Sequence, residues 1–162
     1  MEIASAGVLI TDGTLVLGGY HPKNKIISGI GGKSEYEESP SFTATRELIE
    51  ELLGFSPSPL LTRLIEELFL DYQSFQNSSY TFFVLSFKQL EQILKLVQLS
   101  SVPSPFYLSF PQNIQDLVQK RIILNEDSSI QQEISYLYLL PLTSSLEIDP
   151  LFKQDLNLIC KK

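Results

Sequence analysis

The chain has 162 residues, 43% hydrophobic and 19% charged, with ten Phe, seven Tyr and no Trp. That is the make-up of one globular domain able to bury about 70% of its unfolded surface. A net charge of −7 and a pI near 4.7 exclude a broad basic surface gripping nucleic-acid phosphates, though not a local basic patch.

Cys160 is the single cysteine, so no intramolecular disulfide forms and a reducing compartment is expected. The stretch MEIASAGVLITDG has no basic n-region and reads as a strand rather than a signal peptide. No run approaches the roughly 20 apolar residues that span a bilayer. An intracellular, cytoplasmic and soluble protein with no membrane partner is the expectation.

Residues 3–10 are small or apolar, Thr11-Asp12-Gly13 supplies a tight turn, and 15–20 is a second β run, together a hairpin. His21-Pro22-Lys23-Asn24-Lys25 is a polar loop carrying the only histidine. His21 is a loop side chain or a substrate contact. Lys23 and Lys25, in an acidic chain, either meet a substrate phosphate or are simply solvated. Residues 26–30 form a short strand leading to Gly31-Gly32, where missing Cβ atoms let the backbone approach a ligand or metal. Ser39 as N-cap and Pro40 at N1 open a helix that ends at Gly54.

The Ser-Pro-Ser-Pro run at 56–59 is a connector, 73–77 a hairpin loop, and 78–87 a strand. A helix at 88–97 carries Leu90, Ile93, Leu94 and Val97 at helical spacing. Residues 112–123 form another helix, 132–142 the last strand and 150–159 a closing helix. The chain is thus a single domain over 1–162 with a helical insertion around 88–124. That block is either a lid or partner surface, or core packing.

Six of the nineteen acidic residues fall within 29–55, GIGGKSEYEESPSFTATRELIEELLGF. Glu47, Glu50 and Glu51 stand at i, i+3 and i+4 on one helix face, with Leu48 and Leu52 packed inward. Like charges so placed repel by about 0.2 to 0.5 kcal/mol per pair. A divalent cation would offset that cost, because hard cations such as Mg2+ take oxygen ligands. Taken alone, an acidic helix face is more often simply solvated.

From Gly32 the spacing runs Gly32, five residues, Glu38, seven residues, Arg46-Glu47-Leu48-Ile49-Glu50-Glu51, then Gly54-Phe55. This resembles the Nudix box, the signature of hydrolases acting on nucleoside diphosphates linked to another moiety. There are two departures. Leu52 and Leu53 stand where the box has one residue, which should lengthen the helix by one residue without disturbing the site. Glu37 takes a place where glycine is usual, leaving the loop less free to turn.

The resemblance implies an α/β (α+β) fold, a Nudix-type α/β/α sandwich with a central mixed β-sheet. It implies Mg2+ or Mn2+ held by Glu47, Glu50, Glu51 and the backbone carbonyl of Gly31, with Glu38 and Arg46 orienting loop and helix. Bound metal would neutralise a diphosphate and lower the pKa of a water. The catalytic group is then Glu47, Glu50 and Arg46, with a general base from outside the box: Glu133 first and Glu126 second, either being otherwise a surface acid. Lys23, Lys25 and Lys33 are the candidate phosphate contacts. Tyr20 leads the aromatics that would stack on a base, ahead of Phe82, Tyr107 and Tyr138.

The implied activity is cleavage of a phosphoanhydride in a nucleoside diphosphate-linked small molecule. A nucleoside triphosphate, oxidised ones included, fits the weaker likeness of residues 28–33 to MutT-type members. An mRNA cap, a dinucleoside polyphosphate or a nucleotide sugar is the alternative substrate; Lys120-Arg121 is the one RNA cue and reads equally as a solvated helix face. A non-catalytic Nudix-fold nucleotide sensor or interaction module is the rival of another class. Oligomeric state is not set by the sequence, and a homodimer is compatible with it.

Overall fold

The computed structural model describes residues 4–143 and 148–160. Its strands are β1 (Ser5–Ile10), β2 (Leu15–His21), β3 (Ile26–Ser28), β4 (Ile30–Lys33), β5 (Gln73–Asn77), β6 (Tyr80–Leu85) and β7 (Leu137–Pro141). The helices are α1 (Pro40–Leu53), α2 (Pro59–Leu68), α3 (Phe87–Leu99), α4 (Ile114–Gln119) and α5 (Pro150–Cys160).

β1 and β6 run parallel at the centre of a four-stranded sheet ordered β4-β1-β6-β5, with both edge strands antiparallel to their neighbours. A second, antiparallel sheet has the order β3-β2-β7. Side chains alternate across a strand, and the mixed sheet uses both of its faces. Ala6, Val8 and Ile10 join Leu48, Ile49, Leu52, Ile65 and Leu90 in the core under α1, α2 and α3. Leu9 and Phe82 turn the other way, onto Phe152 and Leu156 of α5. The result is an α/β/α sandwich with a central mixed sheet.

α1 forms where its local signals place it. Ser39 Oγ accepts from the Phe42 amide at 3.2 Å, Pro40 takes the first turn, and Gly54 ends the helix at φ 83°. The Gly54 N–H returns to the carbonyls of Glu50 and Ile49, at 3.0 and 3.1 Å. The additional Leu53 is part of the helix and is 2% exposed. The expected connector at 56–59 contains a second helix start, where Ser58 caps and Pro59 opens α2.

Elsewhere the sequence expectations need correction. β1 and β2 do not form a hairpin ladder: both sides of β1 are taken by β4 and β6, and among the described residues the isolated bridge Thr11↔Val16 is the one β-pairing between this turn's two arms. The turn itself is present, with Asp12 Oδ1 accepting from Thr14 and Leu15 amides at 2.8 and 2.7 Å, but it carries the chain from one sheet to the other. Residues 73–77 are the strand β5, not a loop. The run 26–30 breaks at Gly29 into two strands of different sheets. The 112–123 helix shrinks to α4, and the 132–142 strand to β7. Between β6 and β7, Leu90, Ile93, Leu94, Val97, Phe106 and Leu117 are all buried in the core beside α1.

Gly54 carries a double requirement, since its φ lies in the left-handed region and an added Cβ would stand 2.7 Å from the Phe106 ring. Gly54→Ala is therefore expected to lower unfolding stability by about 1 to 3 kcal/mol. Urea denaturation of the two proteins checks this, and an unchanged midpoint would contradict it.

Candidate active site

Arg46 lies at the meeting point of the loop before α1 and the helix itself. Its Nε donates to Glu38 Oε2 at 2.7 Å and its Nη2 to Glu38 Oε1 at 3.0 Å, a two-pronged pair with good carboxylate geometry. Nη1 reaches Glu47 Oε1 at 3.1 Å and Glu50 Oε1 at 2.9 Å, while Nη2 also donates to the Lys33 carbonyl at 2.9 Å. One cation thus ties β4, the loop and the carboxylates of two helix turns together. Hydrogen bonding to Glu38, opposed by burial, holds the guanidinium protonated more firmly than usual. Burial pushes the Glu38 carboxyl up, but Arg46, the Glu35 amide and Thr43 Oγ1 together bring it below the ordinary carboxylate range. Glu37 occupies the left-handed region at φ 63°, where a glycine would sit without strain.

Glu51 is not on the solvated side of α1: it is 5% exposed and turned onto the sheet edge. Its Oε1 accepts from the Gly31 amide at 2.7 Å. In an extended strand a residue's N–H and C=O leave on the same side, so the Gly31 carbonyl opens toward that edge as well. Gly32 pairs with Ala6 and faces α1, and a Cβ there would collide with the Glu47 carboxylate. Burial, with Glu50 and Glu133 adding repulsion against the pull of Arg46, pushes Glu47 up to about 7. Burial and the charge of Glu47 raise Glu51 well above the carboxylate range.

Among the described residues no three acidic, histidine or cysteine side chains are already gathered at ligating distances. The reason is visible: Arg46 stands against Glu47 and Glu50, and the Gly31 amide holds Glu51. The donor set still fits a hard divalent cation, being three carboxylates and an outward backbone edge, with the space at Gly32 kept clear of a Cβ.

Glu133 is exposed, yet it is close enough to raise the carboxyls of Glu47 and Glu51 electrostatically. It also acts on His21, whose Nε2 is buried with no hydrogen-bond partner among the described residues. Burial lowers the His21 pKa, against the opposing pull of Glu133 and Asp149. Glu126 lies exposed in the turn after Asn125. Lys23 and Lys25 are exposed in the turn after β2, and Tyr20 is half-buried, its backbone joined to Ser135 and Tyr136. Of the four expected substrate contacts only Lys33 lines the groove described next.

On the face of β4 opposite α1, a groove of about 450 Å3 is lined by Ser5, Gly31, Lys33, Tyr80, Asp149 and Asp155. Sequence reasoning missed both aspartates. The signal was available for Asp155, which lies between Phe152 and Leu156 on the buried face of α5, an acid where apolar residues belong. Burial, reinforced by Asp149, pushes its carboxyl up to about 7. A carboxyl raised in the folded state binds its proton more tightly there than in the unfolded chain, so it costs nothing below about pH 4 and destabilises increasingly up to about pH 7. Asp155→Asn should thus match the parent's stability near pH 4 and exceed it at pH 8. Denaturation at the two pH values tests this, and a constant difference would contradict it.

No family model matches the chain, and no curated protein matches it. Solved structures do. A bifunctional NMN adenylyltransferase/ADP ribose pyrophosphatase from Francisella tularensis, complexed with AMP and a Mn ion, aligns at TM-score 0.54 and 12% identity, covering 99% of this chain and 42% of that one. A second structure of the bifunctional protein gives 0.54 and 11%, over 100% and 41%. This chain therefore spans about two fifths of that protein's length. A Nudix hydrolase from Nitrosomonas europaea matches over 100% of this chain and 92% of its own at 15% identity, but its TM-score of 0.44 is too low to argue from. At these identities the likeness shows the fold alone, the α/β/α sandwich with a central mixed sheet described above.

Proposed function

We propose that the chain is a Nudix hydrolase dependent on Mg2+ or Mn2+, cleaving a phosphoanhydride in a small nucleoside diphosphate-linked substrate. The observation that carries this reading is the carboxylate edge. Glu47 and Glu51 are withdrawn from water beside Glu50 and Glu133, and among the described residues Arg46 is the one cation hydrogen-bonded to Glu47 and Glu50. Such a surplus of partly buried negative charge is costly for folding alone and useful for holding a cation. Glu47, Glu50, Glu51 and the Gly31 carbonyl would hold it. When bound, it supplies charge neutralisation at the diphosphate and acidifies a water.

The chain's own residues do the rest. Arg46 keeps Glu47 and Glu50 aligned and anchors them to Glu38 and the Lys33 carbonyl. Glu133, exposed beside that edge, is the candidate to take the proton from the attacking water. Lys33 stands where β4 opens into the groove and would meet a phosphate. The nucleoside part would lie in the groove between β4 and α5, where Tyr80, Asp149 and Asp155 offer a ring and polar groups. A nucleoside triphosphate has this outline, and so does ADP-ribose, the diphosphate for which the pyrophosphatase activity of the Francisella protein is named. The RNA-cap alternative loses its one cue, because Arg121 of the basic pair is turned inward with its donors spent on backbone carbonyls and the Tyr107 hydroxyl, and Lys120 is paired with Asp116 at 3.2 Å.

The test is hydrolysis of a panel of nucleoside triphosphates, dinucleoside polyphosphates, nucleotide sugars, dinucleotides and capped RNA with Mg2+ or Mn2+. At least one small nucleotide should be cleaved, with activity lost on EDTA and restored by either ion. Glu50→Gln should lower kcat by at least about 100-fold with the unfolding midpoint retained. Inertness toward the whole panel would overturn the reading.

A further inference from the structure

One side chain of the long block between β6 and β7 hydrogen-bonds both the end of the carboxylate helix and the segment that follows Glu133. Arg121 follows α4 and is partly buried, its guanidinium carbon 4.8 Å from the Phe106 ring centroid and 5.8 Å from that of Tyr107. A guanidinium has five N–H donors, and here all five are used. Nε donates to the Ser135 carbonyl at 3.1 Å. Nη1 donates to the Leu52 carbonyl at 2.8 Å and the Tyr107 hydroxyl at 3.1 Å. Nη2 donates to the carbonyls of Glu51 at 2.8 Å and Ile134 at 2.9 Å.

None of the five goes to a carboxylate. The partly buried cation is held instead by the nearby charge of Glu51 and by the last turn of α1, the negative end of the helix dipole. The two aromatic rings add to it. A helix leaves its last four carbonyls without partners inside the helix. Here Gly54 N–H takes Glu50, Arg121 takes Glu51 and Leu52, and Ser104 Oγ takes Leu53. Three of the four are closed from the block between β6 and β7. The other prong of Arg121 holds the carbonyls of Ile134 and Ser135, which directly follow Glu133.

We infer that Arg121 is a positioning residue, a clamp that fixes the end of α1, with Glu50 and Glu51, against the segment that carries Glu133. The clamp touches no substrate. It sets the separation of acids that belong to segments about 80 residues apart in sequence, a distance that neither segment fixes by itself. The inference rests on the reading of the site proposed above, in which Glu133 serves the reaction at that edge.

Two variants and a double-mutant cycle test it. Arg121→Met keeps an apolar stem against Phe106 and Tyr107 and removes all five donors. Arg121→Lys keeps the charge and up to three donors. Arg121→Met should lower kcat by about 10- to 100-fold with KM little changed, and Arg121→Lys should recover part of the loss. In a Glu133→Gln background both substitutions should cost far less than in the parent, since there is no longer a carboxylate to place. Should Arg121→Met fail to fold, the Arg121→Lys arm of the cycle decides alone. Equal losses in the two backgrounds, or a lowered unfolding midpoint with kcat intact, overturn the clamp while leaving the proposed hydrolase standing. A parent protein that hydrolyses nothing and gives no Mn2+ binding by electron paramagnetic resonance overturns both.

Discussion

The hydrogen-bonded contact between Arg46 and its ring of carboxylates governs how this part of the chain is built. Glu38, Glu47 and Glu50 come from a loop and two successive helix turns, and without a cation between them they would separate. Arg46 brings them together with its flat donor edge and a short reach to the Lys33 carbonyl. The loop is pinned as a consequence: Glu38 also accepts from the Glu35 amide and Thr43 Oγ1, so a segment with no regular structure of its own acquires fixed partners. The left-handed backbone at Glu37 is tolerated within that frame.

β4 divides the labour between its faces. Gly32 looks toward α1 and leaves room for Glu47, while Gly31, Lys33 and their neighbour Ser5 line the groove beside α5. Gly31 belongs to both, since its amide is spent on Glu51 while its α-carbon borders the groove. A ligand in the groove and a cation at the edge would therefore share one short strand. Movement of either would be felt by the other across a few ångströms of backbone.

What the sequence discloses is what local chemistry decides. Ser39, Pro40 and Gly54 act within a turn of themselves, so both ends of α1 are readable, and the spacing of Arg46 from Glu47 and Glu50 puts them in contact on any helix. Partners chosen across the fold are not readable in this way. The Thr11-Asp12-Gly13 turn reads as a hairpin because nothing nearby announces that β4 and β6 will occupy both sides of β1. Glu51 reads as solvated like its neighbours, although the helix points it at the Gly31 amide. Arg121 reads as half of an exposed basic pair, because its acceptors lie some 70 residues before it and 13 or 14 on either side. Asp155 is intermediate: its place on the apolar face of α5 is visible, but the groove it faces is not.

The outer rim of β4 has a bearing on assembly. A free strand edge is an invitation for another strand to add, and proteins close such edges with charge or with covering groups. Here the Gly31 amide is occupied by Glu51 and the Lys33 carbonyl by Arg46, with further carboxylates alongside. A neighbouring backbone arriving at this rim would find the Gly31 amide and the Lys33 carbonyl taken and would have to displace a carboxylate and a guanidinium from them. The mixed sheet is thus guarded at this end against the addition of a further strand.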